Sequence, residues 1–299
     1  MKAAMLLMAA GCASAPPAVA RPAPSVERAR WVMGTRLRIV AFHESEAKAA
    51  AAIERAFGEA ERLDALLSHY KADSELSAIN RDAGTWREAS PEMLTFARAC
   101  LDAAARTDGL FDPTVGPLVR AGGATDARAL VGWRLLEFDG TRVRLARAGM
   151  ALDPGGIGKG YAVDAMVAAL RAAGVSRALV DFGESSFYAY GEPGFRIAVR
   201  DASGQPLGPH VELRDASLST SMTRTFPDRR THIFDPRTGL AVETARTAAV
   251  VMKSATMADV LSTALCVGGA ERMDLVERFP GTWAWFHEQG SPPVERRAR

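Results

Sequence analysis

The chain contains little cysteine, little lysine and no excess of charge of either sign. Of its three cysteines, Cys100 and Cys266 lie outside the N-terminal region, and two cysteines do not make a disulfide framework or a zinc site. The 37 Lys and Arg residues nearly balance the 35 Asp and Glu residues, which leaves a formal net charge of +2. Because the sequence also has no dense basic run, nucleic acid is not an expected partner. No apolar run is long enough to span a bilayer.

The N-terminus has the pattern of an export signal over residues 1–20. Lys2 precedes an apolar, alanine-rich run, which small residues and proline follow. Two processing routes are open. Ala18-Val19-Ala20 fits a cleavage site for signal peptidase, whereas Cys12 after Ala-Ala-Gly resembles the lipidated cysteine of a lipoprotein signal. Both routes predict an exported, periplasmic protein, and a lipid on Cys12 would attach it to the inner membrane. Residues 21–29 are then expected to form a linker.

The rest of the chain has the patterning of a folded domain with both helices and strands. Apolar spacing predicts a long amphipathic helix over Ser45–His69, a helix capped by Ser254, and a strand over Trp31–Phe42. Because strands and helices do not alternate strictly, an α+β fold is favoured, with a mixed or antiparallel sheet and flanking helices. We therefore predict one large domain over residues 30–289, followed by a disordered tail over residues 290–299.

A glycine-rich segment between Asp153 and Asp164 predicts a phosphate-binding loop. Four glycines and a proline surround Lys159, and an amphipathic helical pattern follows directly. Glycines let the backbone approach a ligand, and the N-terminus of a helix favours phosphate oxygens. An ordinary strand–turn–helix corner explains the same residues. The spacing fits neither a Walker loop nor a dinucleotide fingerprint, so neither a P-loop NTPase nor a Rossmann dehydrogenase is supported.

Three oxygen-bearing side chains further along the chain share one face of a predicted helix. Asp259, Ser262 and Thr263 are spaced at i, i+3 and i+4, among apolar neighbours. Carboxylate and hydroxyl oxygens suit a hard cation, above all Mg²⁺ shared with a substrate phosphate. Alternatively, the two hydroxyls bond back to carbonyls of the preceding turn and the carboxylate forms a salt bridge.

A histidine precedes a turn in the segment His232-Ile-Phe-Asp-Pro-Arg-Thr-Gly239. Histidine is the natural proton acceptor near neutral pH, so His232 is either a general base or a surface histidine with other partners. Asp235 is either part of a site or the cap of its own turn. The sequence pattern alone leaves both alternatives open.

Taken together, these segments resemble the ApbE family, the FAD:protein FMN transferases, from about Trp31 to His287. Met33-Gly34-Thr35 looks like the family's opening strand motif. Tyr70 to Asn80 is similar to its Y-x-x-x-S-x-[ILM]-x-x-[IFL]-N loop, and Gly109 to Leu118 is similar to its G-x-F-D-x-T-V-G-P-L segment. The glycine-rich, histidine and Asp259 segments follow in the family's order.

The resemblance implies a role for each site residue. His232 falls where the family has a candidate catalytic histidine. Mg²⁺ would be held by the carbonyl of Gly156 with Asp259, Ser262 and Thr263. The residues implied in contacts with FAD are Met33, Tyr70, Leu110, Phe111, Asp112, Asp153, Lys159 and the backbone near Phe234.

The implied activity is the Mg²⁺-dependent transfer of FMN from FAD to a Thr or Ser hydroxyl of an acceptor protein, with release of AMP. Two alternatives remain: an FAD pyrophosphatase that yields FMN and AMP, and a non-catalytic FAD-binding protein. The chain departs from the family pattern at two places. Gly183-Glu184-Ser185 stands where Gly-Gly-Asp is frequent, and Ser221-Met222 stands where Ser-Gly is usual. Both are expected at the rim of the active site.

Overall fold

A large antiparallel sheet is the framework of the protein. The computed structural model describes residues 24–122, 125–201, 204–208, 210–223 and 231–299. Eight strands pair side by side within these ranges, and every neighbouring pair is antiparallel. In spatial order they are β1 (Ser25–Val32), β2 (Thr35–Phe42), β6 (Arg177–Phe182), β7 (Ser186–Tyr190), β10 (Ala216–Met222), β11 (Arg246–Met252), β12 (Trp283–Glu288) and β13 (Val294–Arg297).

Helices cover one face of this sheet and enclose the main core. Helix α1 (Glu46–Leu67) packs against α5 (Gly158–Ala172), which packs against α6 (Ala255–Gly268), and α6 lies on β10 and β11. The cap predicted at Ser254 is confirmed, because its hydroxyl accepts a backbone N–H group of α6. The Ser45 hydroxyl caps α1 in the same way. This layer is what brings the starts of α5 and α6 together.

The opposite face of the sheet has a smaller core of its own. A hairpin of β8 (Phe195–Ile197) and β9 (Val211–Leu213) covers apolar side chains of the central strands there. The two cores follow from the alternation of side chains along each strand: Leu179 packs under the hairpin, whereas Val180 packs under the helices.

The segment between β2 and α5 carries most of the remaining elements. These are α2 (Glu75–Arg81), β3 (Arg87–Glu88), α3 (Pro91–Arg106), α4 (Gly116–Ala121), β4 (Leu136–Asp139) and β5 (Arg142–Leu145), with 3₁₀ turns at Thr125–Leu130 and Trp133–Leu135. A third 3₁₀ segment, at Ala270–Arg278, follows α6. Among the described residues, no helix has the length and apolar content needed to cross a bilayer.

The α+β fold with an antiparallel sheet and flanking helices is confirmed, but three local predictions are wrong. The strand predicted over Trp31–Phe42 is a hairpin, because Met33 and Gly34 both adopt positive φ and turn the chain. The predicted linker over residues 21–29 contains most of β1 from Ser25 onwards. The predicted disordered tail over residues 290–299 contains β13, which pairs with β12. The predicted export signal and Cys12 lie outside the described residues.

Candidate functional site

A cleft of about 640 Å³ lies between the start of α5, the side of α6 that carries Asp259 and Thr263, the turn between β6 and β7, and the end of β10. It collects residues from seven separate segments of the chain. The lining residues are His69, Tyr70, Leu110, Phe111, Asp112, Val115, Val119, Asp153, Gly155, Gly156, Lys159, Gly183, Glu184, Ser185, Thr220, Ser221, Met222, His232, Ile233, Phe234, Pro236, Asp259, Thr263 and Val267. Most residues singled out in the sequence are thus brought together.

The glycine-rich loop forms one wall and ends in the uncapped start of α5. The helix begins at Gly158, and no side chain caps it at Ile157. The Asp153 carboxylate accepts a hydrogen bond from the Gly155 amide at 2.7 Å, which fixes the loop in front of the helix. The amide side chain of Asn80 holds the backbone just before this loop. It donates to the Leu152 carbonyl at 2.9 Å and accepts from the Leu152 N–H at 2.7 Å. An uncapped helix start favours an anion there.

Lys159 adds a full positive charge to the same wall. Its Nζ atom donates to the hydroxyl of Ser185 at 2.6 Å, across the cleft from the turn between β6 and β7. Among the described residues, Lys159 makes no ion pair within 4.0 Å, so its charge is not neutralised by a direct carboxylate contact. The wall therefore combines the positive end of a helix with an ammonium group, which suits phosphate oxygens.

His232 lies at the cleft beside these charges. Part of its side chain is accessible to solvent, yet the surrounding protein still desolvates it. Burial lowers the pKa of His232, the positive charge of Lys159 lowers that pKa further, and the carboxylate of Asp153 acts in the opposite direction. The imidazole is therefore neutral at pH 7 and has a free lone pair that can accept a proton.

The cleft also has an aromatic and apolar part. The ring centroids of His69 and Tyr70 lie 3.9 Å apart, and Tyr70 is 87% exposed. Leu110 and Phe111 are buried, and Phe111 lies against the backbone of Gly156. A flat ring system can pack here while a phosphate reaches the start of α5.

Asp259 is the buried carboxylate of the site. It is 3% exposed, and its two oxygens accept hydrogen bonds from the Gly160 amide at 3.0 Å and the Ser219 hydroxyl at 3.2 Å. Thr263 lies one turn further along α6 and borders Gly156, where a Cβ atom would come within 3.1 Å of the Thr263 hydroxyl. No ion pair to Asp259 is present within the described ranges. A buried carboxylate without a cationic partner, surrounded by hydroxyls, is a set of oxygen ligands that fits a hard cation.

Three of the predicted site residues are placed differently from the rest. Met33 is in the β1–β2 turn and is not among the residues that line the cleft. Ser262 is buried behind the lining, where its hydroxyl donates to the Asp259 carbonyl at 3.0 Å and pairs with the Ser221 hydroxyl at 2.8 Å. Ser262 thus follows the alternative in which a hydroxyl of this helix bonds back to a carbonyl of the preceding turn.

Asp112 lines the cleft, but its oxygens are already engaged. They accept hydrogen bonds from the amide and hydroxyl of Thr114 and from the amide of Trp133 at 2.6–2.9 Å. Burial raises the pKa of Asp112, although these hydrogen bonds act in the opposite direction. Its geometry is that of a residue that holds the 110–114 loop in place.

Sequence reasoning missed the polar face of β10. Ser219 bonds to Asp259, and Ser221 bonds to Ser262 and contacts the Thr263 hydroxyl at 3.3 Å. Serines at every second position of Ala216–Met222 were the available signal, because alternate residues of a strand face the same side. The segment was not predicted as a strand, so these serines were not connected to Asp259.

Comparison with known proteins gives a consistent result. The family model described as the ApbE family matches residues 33–286. A curated protein named FAD:protein FMN transferase from Rhodobacter capsulatus is 32% identical over 279 residues, which cover 84% of this chain and 53% of that protein. A protein of the same name from Treponema pallidum is 30% identical over 301 residues, which cover 87% of this chain and 83% of that protein. The chain thus spans about half the length of the first relative and most of the second.

Solved structures share the same architecture. The apo form of Pseudomonas stutzeri flavinyl transferase ApbE has a TM-score of 0.82 at 29% identity, and the alignment covers 93% of this chain and 96% of that one. The ApbE protein from Thermotoga maritima has a TM-score of 0.82 at 26% identity, with 92% and 97% coverage. The single-domain fold predicted from the sequence agrees with both.

Proposed function

The chain belongs to the ApbE family, and on this premise we propose that it is an FAD:protein FMN transferase. The relatives that match most of its length carry that name. The observation that carries the proposal is the cleft itself, which is lined by Lys159 at the start of α5, by aromatic side chains and by the oxygen cluster around Asp259. A flavin nucleotide with a pyrophosphate needs all three of these environments within one cleft.

In the proposed reaction, a Thr or Ser hydroxyl of an acceptor protein attacks the phosphorus of the FMN half of FAD. The new oxygen–phosphorus bond forms as the bond to the bridging oxygen breaks, and AMP leaves with that oxygen and its electron pair. His232 is suited to accept the hydroxyl proton, because its lowered pKa keeps the ring neutral at pH 7. Lys159 binds the phosphate oxygens, and the positive N-terminal end of α5 helps to stabilise their negative charge.

We also propose that the site takes Mg²⁺, held by Asp259, Thr263 and the carbonyl of Gly156. The support is the chemistry of the donor set: a buried carboxylate, neighbouring hydroxyls and a close backbone approach. Ser221 lines the cleft next to Thr263, whereas Ser262 lies behind it, so Ser221 is the better-placed additional hydroxyl. When bound, the cation would neutralise charge on the pyrophosphate.

Export to the periplasm remains part of the proposal and rests on residues 1–20 alone. The two processing routes predict different mature proteins. Intact-mass analysis of protein purified from membrane and soluble fractions separates an N-terminal lipidated Cys12 from an N-terminus at Arg21.

One incubation tests the activity against its alternatives. The purified protein is mixed with FAD and Mg²⁺, with and without a candidate acceptor protein, and AMP and the intact mass of the acceptor are followed together. We expect AMP only with acceptor, whose mass rises by one FMN less one water. AMP without acceptor would instead identify a pyrophosphatase, and bound FAD without AMP would identify a non-catalytic flavin-binding protein. Asp259→Ala is the matched negative control.

A further inference from the structure

The contact between Lys159 and Ser185 involves a residue that departs from the family pattern. Ser185 occupies the position where the family often has the Asp of Gly-Gly-Asp. Its place is set by the backbone, since its carbonyl accepts a hydrogen bond from the Thr220 amide at 2.7 Å and the preceding Glu184 amide donates to the buried Asp181 carboxylate at 3.1 Å. The hydroxyl therefore faces Lys159 from a fixed turn.

The donor and acceptor chemistry of this pair determines where the hydroxyl proton can go. An ammonium group has three donors and no acceptor, so the Ser185 oxygen is the acceptor in the 2.6 Å contact. The hydroxyl proton remains available, and no other described residue hydrogen-bonds to this hydroxyl. Because Ser185 lines the cleft, a ligand oxygen there can accept that proton.

We infer that Ser185 is a second phosphate-binding side chain of this cleft, which donates to the pyrophosphate while it orients the Lys159 ammonium. The inference rests on the proposed function, because it takes an FAD pyrophosphate as the ligand. The hydroxyl is neutral, so it leaves the full charge of Lys159 for the ligand.

The neighbouring carboxylate does not substitute for the missing aspartate. Glu184 precedes Ser185 in the same turn, but its side chain is 77% exposed and pairs with Arg36 at 3.3 Å. Glu184 also borders the cleft, and Arg36 balances its charge there. Lys159 has no carboxylate within 4.0 Å among the described residues, so its charge faces Ser185 and the cleft.

Ligand binding to four variants tests this assignment. Dissociation constants for FAD, ADP and riboflavin are measured by isothermal titration calorimetry for the unchanged protein, Ser185→Ala, the hydroxyl-retaining Ser185→Thr, and the matched controls Ser291→Ala and Ser291→Thr. Ser291 is exposed and is not among the cleft-lining residues. Riboflavin has the ring system but no phosphate, so it separates phosphate binding from packing of the flavin.

We expect Ser185→Ala to weaken FAD and ADP binding roughly tenfold, because one hydrogen bond to a charged group is lost. Ser185→Thr should bind both as the unchanged protein does, because it keeps a hydroxyl on the same backbone position. Riboflavin binding should be the same in all proteins, whether it is measurable or absent, and both Ser291 variants should behave as the unchanged protein.

Three results would overturn the assignment. The first is unchanged FAD and ADP affinity in Ser185→Ala. The second is an equal loss of riboflavin affinity, which would show that the substitution disturbs the cleft as a whole. The third is that the unchanged protein binds neither FAD nor ADP, which would also overturn the proposed function. If Ser185→Thr melts at a lower temperature than the Ser291 controls, the Ser185→Ala comparison decides, since that change adds no bulk.

Discussion

The close crossing of α5 and α6 at Gly160 allows a substitution whose effect can be worked out from the structure. A Cβ atom at this position would lie 2.2 Å from the carbonyl oxygen of Ala255 and 2.8 Å from the Cβ of Asp259. Ordinary contacts lie at 3.4–4 Å, and the obstructing atoms belong to backbone or to the base of a side chain. Gly160→Ala must therefore move the two helices apart by about 1 Å.

The expected cost combines three effects. Overpacking of this kind costs about 1–3 kcal/mol. Lengthening the hydrogen bond from the Gly160 amide to the Asp259 carboxylate, now 3.0 Å, costs about 1.5–3 kcal/mol. The higher helix propensity of alanine offsets about 1 kcal/mol of this loss. We expect a net destabilisation of about 2–5 kcal/mol, which corresponds to a fall in Tm of about 5–15 °C for a domain of this size.

Gly158→Ala is the matched control two residues earlier in the same helix. A Cβ atom there would lie 3.3 Å from the Cβ of Pro154, which is a side-chain contact that small shifts can relieve. We expect its Tm to stay within about 3 °C of the unchanged protein, a stability change of about 1 kcal/mol. Thermal unfolding without ligand measures both variants. A Gly160→Ala variant that melts with the unchanged protein would refute the proposed crossing geometry.

Three further predictions concern the site. The transfer rate should fall as the pH drops through the lowered pKa of His232, with a midpoint below 6.5. Lys159→Met should move that midpoint upward, because it removes a nearby positive charge. An unshifted pH profile would contradict the effect of Lys159 on the His232 pKa. Asp259→Asn should abolish the added thermal stability that Mg²⁺ and FAD confer together, and retention of that stabilisation would discard the metal assignment. Asn80→Ala should raise the KM for FAD several-fold, because it removes both hydrogen bonds to Leu152, each worth about 1 kcal/mol. An unchanged KM would show that the glycine-rich loop keeps its position without Asn80.

Prediction from sequence was accurate where neighbouring residues decide the structure. The long helix α1, helix α6 and the Ser254 cap of α6 were all predicted from local spacing. Capping and periodic burial act over a few residues, so their signals are present in the chain itself.

Strands with a weak local β-sheet propensity were missed, because prediction from sequence uses only neighbouring residues. Strand β10 is rich in serine, and β1 and β13 are edge strands with many charged residues, so none has the usual apolar alternation. Their pairing partners decide their conformation. β1 is held by β2 and β13 by β12, and β10 lies between β7 and β11. Such pairing overrides a weak local preference.

The sequence by itself determined the α+β class, the main helices and the set of residues that resemble the ApbE family. Only the tertiary structure decided which of these share a cleft. It showed that Ser221 is on the lining and Ser262 behind it, that Asp112 is engaged by its own loop, and that Ser185 faces Lys159. The reason is sequence separation: the Gly160 amide and the Asp259 carboxylate that meet here are 99 residues apart. Such contacts form only when helices and sheet pack, and no local pattern encodes them.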